Sequence, residues 1–268
     1  MRGILASLLT CAAILLSHGC GNLGWRGTEA DDSAAARELA DYKRAHFRAL
    51  GDEIAGYRSR EAVIAAILAN DLLWLGDRHD AATIHRAQLA LLRELQARGR
   101  RLVLAIEAIG VNDEAEVERF LSGAIDLRRL RIALSAQPDG SWLDSAQLDS
   151  DFYRDLLAFA KDAQAPVRAL EAIPRPPLAQ RDARMATRIR ELRAEHADAL
   201  LVVVVGHVHL LGDGHLLEAT QLGGEVLLPA VGPGMAETIA RQRRRGGDDF
   251  VVTSDGILVW AEATAVDD

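Results

Sequence analysis

Hydrophobic positions along the chain fall into two alternating kinds of run. Some are short and unbroken, others recur at helical spacing. Continuous apolar runs stand at Leu72 to Leu75, Leu102 to Ile106 and Leu200 to Val205, and a further short run, interrupted by Arg168, at Val167 to Leu170. Runs of this length predict strands, and the β-branched Leu200 to Val205 predicts a central strand buried on both faces, as in a parallel sheet. Between them lie stretches with helical periodicity: Ser59 to Asn70, Ala81 to Ala97, Glu114 to Leu121, Leu127 to Leu134, the segment "DFYRDLLAFAKDA", and an Arg-rich stretch from about Leu178 to His196. An earlier stretch, "SAAARELADYKRAHFRAL", reads the same way, with Ser33 and Ser59 as N-caps. Gly99 supplies the stop between the 81–97 helix and the strand that follows, completing a βαβ unit.

The alternation predicts an α/β fold with a mostly parallel central sheet, helices on both faces and a C-terminal β-hairpin. The hairpin is expected in "DDFVVTSDGILVWAEA", turned at Asp255-Gly256. The run "VLLPAV" contains Pro229, which has no N–H for a ladder, so it is expected at an edge or a strand end. Trp74 and Trp260 are expected in the core.

The first twenty residues break this pattern. Arg2 precedes an apolar stretch from Ile4 to Leu16, and Gly19-Cys20 closes it. This is the layout of an export signal over residues 1–19, too short to span a bilayer, which needs roughly 20 apolar residues. Cys11 would leave with the signal, so Cys20 is the lone thiol of the exported product and an internal disulfide is excluded. A cysteine in this place resembles a bacterial lipoprotein attachment site, although Ser17 stands where Leu is usual. The expected product is lipidated at Cys20, tethered by residues 20–33, and carries one domain over 34–268 in the cell envelope.

Composition narrows the partners. With 268 residues and 49% apolar content the chain can bury a sizeable core. Its 39 acidic against 31 basic residues give little support to a nucleic-acid partner. The basic string at Arg241 to Gly247 reads as a solvated helix end. Membrane contact is expected through the lipid anchor alone, and a homodimer is one arrangement open to the chain.

The chemistry gathers where the predicted strands end. Ligands of open α/β sheets bind beyond the carboxyl ends of the strands. Four strands here end in reactive groups: Asp77 and His79, Glu107, Glu171, and His207 with His209. Two imidazoles and a carboxylate suit zinc or another divalent transition metal, with His79, Glu107 and His209 as ligand candidates. Asp77 is then placed to act as general base on metal-bound water. Asp80 is a candidate helix cap, Glu171 a loop salt-bridge partner, and His85 a surface or boundary residue. Gly-x-x-His occurs three times, as "GDRH", "GHVH" and "GDGH". There is no phosphate-loop string and no Gly-x-Ser-x-Gly elbow.

Taken together, "LLWLGDRHDAATIHRAQLALLREL", "LVLAIEAI", "RDARMA" at Arg181 to Ala186, and "LLVVVVGHVH" resemble the ChaN-like haem-binding uptake proteins. Their superfamily also holds the Tiki metalloproteases and the erythromycin esterases. The likeness runs from about Leu72 to His209. It implies an α/β fold with a parallel sheet and a bacterial lipoprotein that binds haem, iron or another small-molecule ligand. In the hydrolytic branches the metal or catalytic centre maps onto His79, Glu107 and His209. The usual Gly-Glu-x-His is Gly-Asp-x-His here, with the shorter Asp77, and no residue is matched to a haem ligand of the family. The two functions implied are a haem or metal binder and a metal-dependent hydrolase.

Overall fold

The computed structural model describes Arg37 and residues 54–79, 81–136, 141–145, 148–176, 178–210, 216–229, 250–253 and 256–260. Among these, eight strands form one sheet: β1 (Ile54–Arg58), β2 (Leu72–Asp77), β3 (Leu102–Gly110), β4 (Val167–Glu171), β5 (Leu200–Gly206), β6 (Glu225–Leu228), β7 (Phe250–Thr253) and β8 (Leu258–Trp260). Seven helices accompany them: α1 (Arg60–Leu68), α2 (Ala82–Ala97), α3 (Glu114–Leu121), α4 (Leu127–Ser135), α5 (Ser150–Asp162), α6 (Leu178–Glu195) and α7 (Leu216–Thr220).

The strand order is β1-β7-β8-β6-β2-β5-β3-β4. From β8 to β4 every neighbour is parallel, and only β7 runs against its two partners. The ends of β2, β5, β3 and β4 therefore lie side by side along one rim. After β2 the chain moves two places across to β3 and then to β4, returns to insert β5, and later adds β6 on the other flank of β2. A change of direction next to β2 opens the crevice in which such sheets place their ligands.

Why the strand sequences are unbroken is visible in the packing. Leu73, Leu75, Leu104, Ile106, Val202 and Val204 face one layer, shared with residues of α1 to α5. Their neighbours Leu72, Trp74, Val103, Ala105, Leu201, Val203 and Val205 face the other, shared with Met185, Ile189 and Leu192 of α6 and Leu216 of α7. Because successive side chains alternate across a strand, only an all-apolar run can satisfy both layers. Each fully buried Leu or Val adds about 1.5–3 kcal/mol. Trp74 and Trp260 are both in the core, as expected.

Ser59 caps α1, accepting from the Ala62 N–H at 3.3 Å, and Gly99 follows α2 with φ +82°. The hairpin is present as the antiparallel pair β7 and β8, with Gly256 at φ +79°. One strand is additional to those expected: β1, with Gly56 at its centre and mostly exposed side chains, has a weak apolar pattern that is compensated by pairing with β7. Of the two places open to the Pro229 run, the structure has the strand end: Pro229 follows the last residue of β6, where a missing N–H leaves the ladder intact, while β6 itself lies between β2 and β8.

Apart from Arg37, which is helical, the predicted 33–50 helix lies outside the described residues. So do the export signal, Cys20, the tether, Asp80, the Arg241–Gly247 string and the third Gly-x-x-His. Among the described residues no helix is long and apolar enough to cross a membrane.

Candidate functional site

Two linked polar clusters occupy the carboxyl rim. The first is built on Asp77, the last residue of β2, whose side chain is fully buried. Three donors converge on its carboxylate. His79 Nδ1 lies 2.6 Å from Oδ2, the Tyr153 hydroxyl donates to Oδ2 at 2.9 Å, and His85 Nε2 lies 2.7 Å from Oδ1. Burial alone would push the Asp77 carboxyl up, but the charges and hydrogen bonds of His79 and His85 outweigh it and hold the group ionised. On the far side of His85, Nδ1 lies 2.8 Å from Asp149 Oδ2. Phe152 stacks on the His85 ring, with centroids 4.1 Å apart and planes 9° apart. His85 is itself shifted upward: burial opposes its charge, while Asp77 and then Asp149 favour it.

The second cluster joins β3, β5 and α6. Glu107 on β3 accepts from the Gly206 amide at 2.7 Å through Oε2 and from Arg181 at 2.6 Å through Oε1. Arg181 also binds Glu171 of β4, whose second cation, Arg175, is 3.1 Å away. His209 Nδ1 lies 2.6 Å from Asp182 Oδ1, and its Nε2 is 3.3 Å from Glu107 Oε1. Burial disfavours the His209 cation, yet Glu107 and Asp182 push its pKa up to about 10. Glu107 is correspondingly held well below the usual carboxylate range, against its burial, by His209 first and by Arg181 and His79 after it. Glu171 goes the other way, raised mainly by burial.

Of the predicted residues, His209 and Glu107 stand 3.3 Å apart, and His79 is in contact with Asp77 at 2.6 Å in the neighbouring part of the rim. Their arrangement is nevertheless that of ion pairs. His209 turns Nδ1 to Asp182 and stands with Nε2 3.3 Å from Glu107 Oε1, and both Glu107 oxygens are already engaged by Arg181 and the Gly206 amide. Among the described residues no group of three His, Cys, Asp or Glu side chains is arranged to hold a metal ion. The donor set does not fit a bare divalent cation shared by His79, Glu107 and His209.

Asp77, expected to act as a base, has no exposed surface and is filled by three donors, so its direct effect is to orient His79. His79 is the accessible member, with 13% of its side chain exposed. His85 is corrected outright: it is 2% exposed and sits at the centre of the first cluster. The signal was in the sequence, since Leu89 and Leu92 at i+4 and i+7 share its stripe, and that stripe faces inward. Glu171 is a salt-bridge partner as expected, but buried at a strand end. Asp149, Tyr153, Arg181 and Asp182 escaped the reading of strand ends because they arrive from helices. The string "RDARMA" was the one trace of the last two.

Residues 63–176 match the family model described as haem-binding uptake, Tiki superfamily, ChaN. This segment is ChaN-like. The ChaN-like segment holds Asp77, His79, His85, Glu107, Asp149 and Tyr153, and stops short of Arg181, Asp182 and His209. The fold is similar to that of the type III effector HopBA1, at 16% identity over 76% of this chain and 95% of that one, with a TM-score of 0.52. A structure of cofacial haem binding to ChaN of Campylobacter jejuni aligns at 12% identity over 66% of this chain and 88% of that one, with a TM-score of 0.49. The C-terminal region of Pasteurella multocida toxin aligns at 14% identity over 85% of this chain and 31% of that one, with a TM-score of 0.45. No curated protein matches the chain.

Proposed function

We propose that this protein binds haem, or a comparable iron-bearing small ligand, at the carboxyl rim of its sheet, with His79 as the imidazole offered to the iron. One observation carries the reading. His79 is the accessible imidazole of the ChaN-like segment, and its Nδ1 is held 2.6 Å from a buried, ionised carboxylate. When His79 gives up a proton to a metal, the carboxylate behind it keeps the remaining N–H on Nδ1 and turns Nε2 to the iron, the support found behind metal-ligating histidines. Bound iron would supply the redox or transport chemistry, and this chain's part is to hold His79 in place. The test is a hemin titration of the purified chain followed by its Soret band. A saturating band shift that His79→Ala abolishes supports the reading; no shift, or the same shift in His79→Ala, overturns it.

A second reading is hydrolytic, and the same pair favours it. An imidazole oriented by a buried carboxylate is also the arrangement of a general base. In this reading His79, not Asp77, takes the proton from water, and no shared metal is called on. Turnover of a simple ester by the native chain, lost in His79→Ala with the fold retained, would support it.

Export and lipid attachment at Cys20 remain part of the proposal, supported by the residue pattern around that cysteine.

A further inference from the structure

The function proposed above uses His79 and Asp77, and leaves unexplained why so much of the structure converges behind them. Asp149, just before α5, makes three separate connections. Its backbone N–H donates to the His79 carbonyl at 2.9 Å. Its Oδ1 accepts from the Asp151 and Phe152 amides at 3.1 and 3.2 Å, capping α5. Its Oδ2 faces His85 Nδ1 at 2.8 Å. His85 in turn reaches Asp77 Oδ1 with its other nitrogen, while Tyr153, one turn into the same helix, binds Oδ2. Asp149 and α5 thereby hold the β2 terminus at the His79 carbonyl and at Asp77 Oδ2 directly, and at Asp77 Oδ1 through His85 of α2.

We infer that Asp149 and His85 are positioning residues for His79, forming with Asp77 a chain of side chains that fixes where the rim imidazole points. The inference rests on the proposed role of His79 but concerns different atoms. A bond from His79 to Asp77 defines the ring's direction only if the carboxylate cannot turn. Asp77 is prevented from turning by His85, and His85 is prevented from turning by Asp149 together with the Phe152 ring stacked on it. An imidazole between two carboxylates donates to both and is anchored at both ends of the ring, whereas one facing a single carboxylate is held by one N–H alone and can pivot about that bond. Asp149 supplies the second anchor.

Asp149→Asn separates positioning from folding. The side-chain oxygen of Asn still accepts from the α5 amides, and the backbone bond to His79 is untouched. What disappears is the charged acceptor for His85. His85→Leu breaks the same chain from its other end. Two readings are taken on the full chain: the hemin titration, and the low-field proton resonance of the His79 to Asp77 hydrogen bond in ligand-free protein, assigned by its absence in His79→Ala. In Asp149→Asn and His85→Leu the resonance shifts or broadens and hemin affinity falls about tenfold, the low end for a lost outer-shell partner. The thermal midpoint of Asp149→Asn stays close to native.

An unchanged resonance in both folded variants overturns the inference, as does the absence of that resonance from the native chain. A moved resonance with unchanged hemin affinity overturns the link to binding. If the native chain binds no hemin, the proposed function fails and the resonance alone decides whether Asp149 and His85 position His79.

Discussion

His209 is buried against Asp182, Nδ1 to Oδ1 at 2.6 Å, with no solvent-exposed surface of its own. That single contact ties the turn after β5 to α6, and Glu107 closes the imidazole from its other side at 3.3 Å. The arrangement makes stability depend on pH with a definite sign.

His209 has its folded pKa raised to about 10 from an ordinary 6.5. Its contribution is fully present below about pH 6.5, declines as the unfolded chain loses its proton, and is gone above about pH 10. Glu107 is depressed from 4.5, so its contribution is present above that pH and is lost as pH falls further. Urea midpoints of the native chain are expected to fall between pH 7 and 10, a slope that flattens in His209→Gln. Equal slopes in the two proteins would remove His209 as the cause.

Arg181 bridges Glu107 and Glu171 with 6% of its side chain exposed. Arg181→Ala leaves two buried carboxyls without their shared cation, and removing one partner of a buried pair costs about 3–5 kcal/mol. Denaturant unfolding is expected to show a loss of this size, deepest near neutral pH, where Glu107 is ionised.

Tyr153→Phe deletes one donor to the ionised Asp77 without changing the packing of the ring. A hydrogen bond to a charged group is worth about 1.5–3 kcal/mol. The variant should fold with a stability loss in that range and bind hemin more weakly, both measurable on the same preparation.

Gly224, immediately before β6, has φ +143°, and a Cβ there would stand 2.5 Å from the Leu72 carbonyl oxygen. Neither the backbone conformation nor the neighbouring strand can yield, so Gly224→Ala should destabilise by about 1–3 kcal/mol or more. Gly56→Ala, with nothing within 4 Å, is the control and should stay within about 0.5 kcal/mol of native.

Cys20→Ser tests the proposed lipid anchor. Native protein expressed in a bacterium should incorporate labelled palmitate and sediment with membranes; the Ser variant should do neither.

The sequence by itself determined the layers and the rim. Unbroken apolar runs such as Leu200 to Val205 allow no arrangement except burial on both faces, and parallel strands place their carboxyl ends along one edge. Asp77, His79, Glu107 and His209 were therefore legible as residues of one rim before any coordinates, since each lies in the carboxyl-terminal part of a strand or within three residues of its end. What each atom does there was decided by tertiary structure. His209 binds Asp182 across 27 residues of sequence and Tyr153 reaches Asp77 across 76. Whether an imidazole beside a carboxylate acts as ligand, base or buried cation depends on how many charges surround it and how much water is excluded. Those quantities come from the packing of α5 and α6 against the sheet, and no local run of residues encodes them.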